Sequence, residues 1–347
     1  MARWDEVREE LRATPRRWLV TGAAGFIGSH LVEELLSLGQ QVRGLDDFST
    51  GHPANLEDIE ARAGAEAFAR FEFVEGDIRD AASCEKACNG GPLVLHQAAL
   101  GSVPRSLADP KTSFEANVDG FVNLLEAARQ AGTQRFVYAS SSSVYGDHPG
   151  LPKLEEEIGQ PLSPYAATKR IDEVWANTYF RAYGLEVVGL RYFNVVGPRQ
   201  DPHGPYAAVI PRWIEALCNG EPVQIFGDGE TSRDFCPVAN AVQANVLSAV
   251  APPEACGRSF NVALGGRTNL TELFGLIRDG LARLGLDCAD VEASYEDFRP
   301  GDVRHSLADL TAAKQHLGYA PQVDFPEGVQ LTLEWYVARA RQLGEIP

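Results

Sequence analysis

Positive charge is scarce in this chain. Lysine and arginine number 31 against 48 aspartates and glutamates, giving a formal charge of −17 over 347 residues. That balance argues against a nucleic-acid surface and suits a free cytosolic protein. It does not exclude an anionic substrate, because a few arginines in a cleft override the mean field. The six cysteines, at 84, 88, 218, 236, 256 and 288, have no framework spacing. The one close pair, in CEKAC, is neither CxxC nor a zinc knuckle, so reduced thiols in a cytoplasmic fold are expected. No uninterrupted apolar run reaches the roughly 18 residues of a membrane span, so no membrane partner is expected. No basic-then-apolar leader is read at the start; MARWDEVREELRATPRR suggests a short amphipathic helix ended at Pro15. Internal repeats and low-complexity tracts are missing, and no His/Cys/Asp cluster has metal-ligand spacing. What is there is ordinary globular sequence, 44% hydrophobic and 23% charged, long enough for one large α/β domain and a smaller one.

The first half alternates short apolar runs with helical stretches. Strands are expected at RWLVTG (17–22), QVRGLDD (41–47), FEFVEGD (71–77), PLVLHQAA (92–99), RFVYAS (135–140) and LEVVGLRYFNV (185–195). Helical patterns lie between them, clearest over 26–38, 112–131 and 165–183. This alternation predicts an α/β fold with a doubly wound parallel sheet covered on both faces. Beyond about residue 196 Pro, Gly and Asp become frequent, as in GPRQDPHGP, FGDGETSRD and FRPGD. A smaller, interleaved α/β lobe is expected there, because RSFNVAL (258–264) still reads as a buried strand. The expected organisation is a helical extension over 1–16, a sheet domain over 17–195 joined by about 230–264, and a substrate lobe over 196–347.

VTGAAGFIGSHLVEELL sets Gly22, Gly25 and Gly28 between a strand and an amphipathic helix. Glycines belong there if the turn is tight and the backbone must approach a pyrophosphate held on the helix N-terminus. A lone glycine triplet is weak evidence, but here Asp46 and Asp47 also end the next strand. An acid at that place accepts hydrogen bonds from a ribose 2′-hydroxyl and repels a 2′-phosphate, favouring NAD over NADP. Further on, SPYAATKRIDEVW opens a helix with Ser163 as N-cap and Pro164 at its first position. Tyr165 and Lys169 are then i and i+4 on one face, where an ammonium favours phenolate over phenol. By itself Tyr-x-x-x-Lys also fits a tyrosine beside a solvated lysine. Between the two motifs, four serines, Ser140 to Ser143, follow the apolar run RFVYA.

The spacing GxxGxxG within TGAAGFIG resembles the fingerprint of the extended short-chain dehydrogenase/reductase family, and the chain matches every specific position of it. The resemblance implies an NAD-binding Rossmann domain. It also implies a catalytic triad in which Tyr165 is general base and acid, Lys169 is ribose ligand, and Ser141, four before Tyr145, donates to the sugar oxygen. The NAD site it implies uses Gly22, Gly25, Phe26 and Ile27, then Asp46, Asp47, Phe48, Ser49, Thr50 and Gly51. Asp77, Ile78, Gln97, Ala98, Ala99 and Tyr192 complete that site with Tyr165 and Lys169. Dehydratases of the family carry an Asp-Glu pair after the triad serine, and decarboxylating relatives a glutamate, whereas this chain has Ser142 and Ser143. What remains is hydride exchange with a tightly bound, recycled NAD plus one tyrosine proton. Oxidation at a sugar carbon, rotation of the ketone and return of the hydride amount to epimerisation.

Over essentially its whole length the chain is similar to the UDP-N-acetylglucosamine 4-epimerases of bacterial polysaccharide pathways, a likeness that implies a UDP-sugar substrate. In that likeness Gly101, Ser102, Val103 and Arg105 line the sugar site together with Ser142 and Ser143. Asn194 binds the diphosphate region, and Ala208 and Val209 belong to the segment that closes over the nucleotide. Val223 and Phe226 flank a uracil, Arg233 and Arg299 meet phosphate or ribose, and Asp302 meets the uridine ribose. Ser306 stands where relatives confined to plain hexoses tend to carry a tyrosine, leaving room for an N-acetyl group. His96, ending a strand, reads as structural. The likeness, with the long helices 112–131 and 165–183, also implies a homodimer. Competing readings are a UDP-glucose 4-epimerase, a catalytically silent dinucleotide sensor and an oxidoreductase that does not recycle its cofactor.

Overall fold

The computed structural model describes residues 3–201, 208–298 and 304–346. Seven parallel strands form the central sheet: β1 (Arg17–Thr21), β2 (Gln41–Asp46), β3 (Phe71–Glu75), β4 (Leu93–His96), β5 (Arg135–Ser141), β6 (Glu186–Tyr192) and β7 (Arg258–Val262). Their order across the sheet is β7-β6-β5-β4-β1-β2-β3. The strands read as continuous apolar runs because helices cover both faces and leave no side for solvent. β1, β4 and β6 are buried along nearly their whole length. The fold is a Rossmann-type α/β sheet.

Register brings one end of the strands into line. Thr21 lies opposite Leu45 on β2 and His96 on β4, and Ser141 lies opposite Tyr192 on β6. The chain reverses direction across the sheet between β1 and β4, which opens a crevice beyond their carboxyl ends. Gly22, Asp46, Gln97 and Ser141 all emerge at that edge. β7 shows that the main sheet draws a strand from far beyond residue 196.

Helices pack on both faces of this sheet, five of them bearing on the site. α1 (Arg3–Ala13) buries Trp4, Val7 and Leu11 and ion-pairs Arg8 with Glu34 at 3.0 Å. α2 (Phe26–Ser37) follows the glycine turn. α3 (Gly120–Gln130), α4 (Pro164–Tyr183) and α5 (Val238–Ala249) cover the sheet. The single helix expected over 112–131 is interrupted. It consists of Pro110–Phe114, a π-turn over Glu115–Asp119, and α3. The interruption carries Asn117, 1% exposed, whose amide holds both backbone groups of Leu100 at 2.7 and 3.1 Å. A π-turn adds one residue per turn, and such turns collect where a helix must present a particular side chain.

α4 has the termini its sequence calls for. Ser163 Oγ accepts from Ala166 N–H at 3.1 Å, Pro164 occupies the first turn, and Gly184 closes the helix at φ 73°. The second core gathers Trp213, Phe274, Ile277, Phe325 and Leu333 around a parallel pair, Val223–Phe226 with Ala293–Glu296. Among the described residues no helix is long and apolar enough to cross a membrane.

Candidate active site

A cleft of about 960 Å³ lies along the carboxyl ends of the strands. Its first wall is the turn after β1. Gly22 has φ +65°, and a Cβ there would stand 2.9 Å from Ala98 N. A Cβ at Gly28 would collide with the Gly22 carbonyl oxygen. Only glycine lets α2 begin this close to β1, with its free N–H groups at the cleft. Asp46, 7% exposed, ends β2; its oxygens accept from Ala24 N–H at 2.9 Å and Phe48 N–H at 2.8 Å. Burial pushes its carboxyl up, and those two amide donors oppose the shift. The carboxylate thus fixes the two loops that flank the crevice.

The floor is set by Thr21. Its hydroxyl oxygen accepts from Gln97 N–H and Ala98 N–H, both at 3.2 Å, and is 2.7 Å from His96 Nδ1. With its lone pairs engaged, the hydroxyl donates its proton to Nδ1, and His96 is the neutral tautomer protonated at Nε2. Burial, followed by the charge of Lys169, pushes the His96 imidazole down to about 3. Gln97 continues the chain of bonds: Tyr192 Oη donates to its Oε1 at 3.1 Å, and Asn245 on α5 accepts from its Nε2 at 2.9 Å.

All the residues expected at the dinucleotide line this one cleft. They are Gly22, Gly25, Phe26, Ile27, Asp46 through Gly51, Asp77, Ile78, Gln97 through Ala99, Tyr165, Lys169 and Tyr192. Asp77 pairs with Arg79 at 2.6 Å, and Arg79 also lines the cleft. A glycine turn that admits no side chain, an acid at the β2 end and a crevice of this length fit an adenine dinucleotide.

The chemical end lies where α4 crosses the tips of β5 and β6. Tyr165, half-buried, and Lys169, 2% exposed, both line the cleft. Tyr165 N–H donates to Ser106 Oγ at 3.0 Å, and Asn117 donates to Thr168 Oγ1 at 3.1 Å, tying α4 to the cleft loop. The serine run divides its work. Ser140, the one serine of the run among the cleft-lining residues, donates to Glu173 Oε1 at 2.7 Å. Ser141, half-buried at the strand tip, accepts from Ser143 N–H at 3.1 Å, which leaves its own proton without an acceptor among the described residues. Ser142 and Ser143 open the short 3₁₀ turn that follows, Ser142–Tyr145, and Ser143 Oγ is buried without a partner.

The substrate residues divide. Gly101, Ser102, Val103, Arg105 and Ala208 line the cleft, and Ser102 has φ 98°. Val209 begins the helix after Ala208 and is 36% exposed. Asn194 is exposed, has φ 31° and donates to the Asp234 carbonyl at 3.0 Å. Val223 is packed at 1% exposure in the second core, away from the cleft lining, while Phe226 on the same strand is half-buried. Arg233 donates to the carbonyls of Ser232 and Arg304 at 3.1 and 3.2 Å. Ser306 N–H donates to Ser232 O at 3.1 Å, and its Oγ accepts from Asp234 N–H at 3.4 Å. Arg299 and Asp302 lie outside the described residues.

Sequence reasoning passed over several residues that build the site. Asp234, fully buried, accepts backbone N–H groups from Leu264, Gly265 and Ala308, each at 3.1 Å, and burial pushes its carboxyl up to about 6. Glu173 and Arg191, both buried, meet at 2.8 and 3.0 Å beneath the β5 tip. Asp172 is 3.2 Å from Lys169. The helical period offered a signal for the acids on α4, since 165, 169, 172, 173 and 176 share one inward face. Nothing in the local sequence marks Asp234.

Fold and cleft together define a dinucleotide-dependent enzyme of the extended short-chain dehydrogenase/reductase type. The chain belongs to the NAD dependent epimerase/dehydratase family, whose model matches residues 18–263; NAD is its cofactor. It is 42% identical over 322 residues to the UDP-glucose 4-epimerase of Mycolicibacterium smegmatis, covering 92% of this chain and 98% of that protein. Among solved structures it resembles the UDP-N-acetylglucosamine 4-epimerase of Methanobrevibacter ruminantium in complex with UDP-N-acetylmuramic acid. The TM-score is 0.85 at 38% identity, covering 94% of this chain and 99% of that one. A UDP-glucose 4-epimerase of Thermus thermophilus in complex with NAD aligns with TM-score 0.79 at 35% identity, covering 92% and 99%.

Proposed function

We propose that the protein is an NAD-dependent UDP-sugar 4-epimerase that interconverts UDP-N-acetylglucosamine and UDP-N-acetylgalactosamine. When bound, NAD supplies reversible hydride acceptance at carbon 4, which takes the sugar to its 4-keto form and back. Tyr165 takes the proton of the 4-hydroxyl and returns it after the ketone has turned in the cleft. Lys169, on the same face of α4, favours the phenolate and holds the cofactor ribose. Ser141 offers its unused proton to the sugar oxygen. Gly101, Ser102 and Arg105 position the hexose.

The observation that carries the reading is the turn after β5. It spans Ser142–Tyr145 and opens with Ser142 and Ser143, with no carboxylate to move the extra protons that loss of water requires. Ser306, small where relatives confined to plain hexoses tend to carry a tyrosine, supports the acetylated sugar. A second reading, a UDP-glucose 4-epimerase, is favoured by the likeness to the Mycolicibacterium enzyme. Purified holoenzyme given UDP-N-acetylglucosamine is expected to produce an equilibrium mixture of both epimers without added NAD, read by chromatography. Turnover of UDP-glucose with the acetylated sugar untouched selects the second reading, and accumulation of NADH in step with product removes both. In the first reading Ser306→Tyr shifts kcat/KM towards the plain hexose.

The active form is a homodimer. Val174, Trp175 and Tyr183 on the outer side of α4 are 53%, 41% and 59% exposed, an apolar face of the kind that copies of a chain cover for one another.

A further inference from the structure

We infer that Asp172 is the positioning residue for Lys169, holding its ammonium from behind and fixing the pH range in which Tyr165 and Lys169 work. The inference rests on the assignment of those two residues proposed above. Lys169 lines the cleft, yet its side chain is 2% exposed and that of Asp172 is 0% exposed, with Nζ to Oδ2 at 3.2 Å. Asp172 is therefore a carboxylate under the floor of the cleft whose charge is felt through one contact. An ammonium has three donors, and this contact uses one of them.

The pairing is specific. Glu173, the next residue, is satisfied elsewhere: Arg191 meets both its oxygens, Ser140 donates to one and Arg170 to the other. Asp172 has no such set. Its Oδ1 is buried without a hydrogen-bond partner, so Lys169 is the only group that compensates its charge among the described residues. An under-satisfied buried acid costs stability, and packing alone would favour a neutral residue there. Strained electrostatics of this kind collect where they tune a reacting group.

Besides Tyr165, whose proton is the one in play, the groups around the pair are fixed in charge or neutral. On α4 there is Glu173; from β5 Tyr138 packs beside it, its phenol pushed up by burial and by Glu173 and Asp172. Arg191 on β6 is spent on Glu173, and His96 on β4 is neutral. Burial pushes the Asp172 carboxyl up, against the pull of Lys169 and with the help of Glu173.

The consequence has a sign. A carboxylate 3.2 Å behind the ammonium opposes the field that the ammonium sets up in the cleft. Removing that negative charge lets the phenolate form at lower pH and moves the acid limb of kcat/KM down. The same removal leaves a buried ammonium uncompensated, so it gives up its proton more readily and the alkaline limb moves down too.

The test is kcat/KM against pH for the NAD-loaded enzyme, using whichever UDP-hexose it turns over. Asp172→Asn, which keeps the shape and an acceptor oxygen, is expected to shift both limbs to lower pH by about one unit. Asp172→Ser removes the same charge with less volume and is expected to shift them the same way. Limbs that stay put, or move up, in the variants that retain NAD overturn the inference, whatever happens to thermal stability. Tyr165→Phe separates this result from the underlying reading. Turnover that survives there removes the Tyr165 and Lys169 assignment; turnover lost there with unmoved limbs in Asp172→Asn removes only the role of Asp172.

Discussion

Thr21 and His96 show how one hydroxyl can decide a protonation state. Because Thr21 Oγ1 accepts from two backbone amides, its proton is donated to Nδ1, and protonating that nitrogen would set two donors head-on. Phe121 and Phe136 pack against the ring at 5.4 and 5.9 Å, shielding it from solvent that would soften the conflict. The folded imidazole is held down to about 3, whereas an unfolded one titrates near 6.5. The folded state thus binds fewer protons. The stability His96 contributes is fully present above about pH 6.5 and is lost as pH falls towards 3, at about 1.4 kcal/mol per pH unit. Denaturant unfolding at pH 6, 5 and 4 is expected to show wild type losing that much more per unit than His96→Gln. Parallel slopes would mean that His96 is protonated in the folded protein.

At the scale of an element, α4 joins the chemistry to the sheet. Its outer turns are capped by Ser163 and Gly184, and its middle is clamped by Glu173 to Ser140 on β5 and Arg191 on β6. Against the pull of burial, Arg191 and Ser140 hold the Glu173 carboxyl below its ordinary value. Glu173→Gln leaves the Arg191 guanidinium buried without its counter-charge, and a loss of about 3 kcal/mol in unfolding free energy is expected. A loss below about 1 kcal/mol would show that the clamp is replaceable by neutral hydrogen bonds. The helix itself was legible in the sequence because cap, proline, period and terminal glycine all agree. The strands were legible for a related reason, since a sheet covered on both faces leaves long apolar runs. The π-turn at Glu115–Asp119 was not, because it answers to Asn117 reaching Leu100, a contact between distant segments. Asp234 escaped likewise, and Asp172 was marked only by its place in the helical period. An acid on a helical face or in a loop reads as solvated until the fold shows what it lies against. Of the site, the dinucleotide end was the more legible half, because glycines and a strand-end acid are local requirements. The expected uracil neighbour Val223 shows the opposite case, an apolar residue claimed by a core that the sequence does not outline.

The whole molecule is asymmetric in what it leaves uncovered. α1 is pinned by Trp4, Val7 and Leu11, and α5 is buried along nearly its entire length, so one side of the sheet is closed by the chain itself. On the other side α4 packs inward against the cleft loop and α3, while Val174, Trp175 and Tyr183 face out. Leu107 and Phe114, in the short helices that pack beside α4, are 62% and 43% exposed. A two-fold axis beside α4 would set this face against itself, and one contact of roughly 800 Å² per chain suffices for a stable dimer. Two acids at its centre would meet two more across the axis, a like-charge juxtaposition that opposes association. Val174→Glu with Trp175→Glu is therefore expected to halve the mass measured by light scattering. NAD is expected to stay bound in that variant, because neither Val174 nor Trp175 lines the dinucleotide cleft. If the mass stays that of two chains, the dimer forms through another surface; if wild type already has the mass of one chain, the apolar face of α4 has a different occupant.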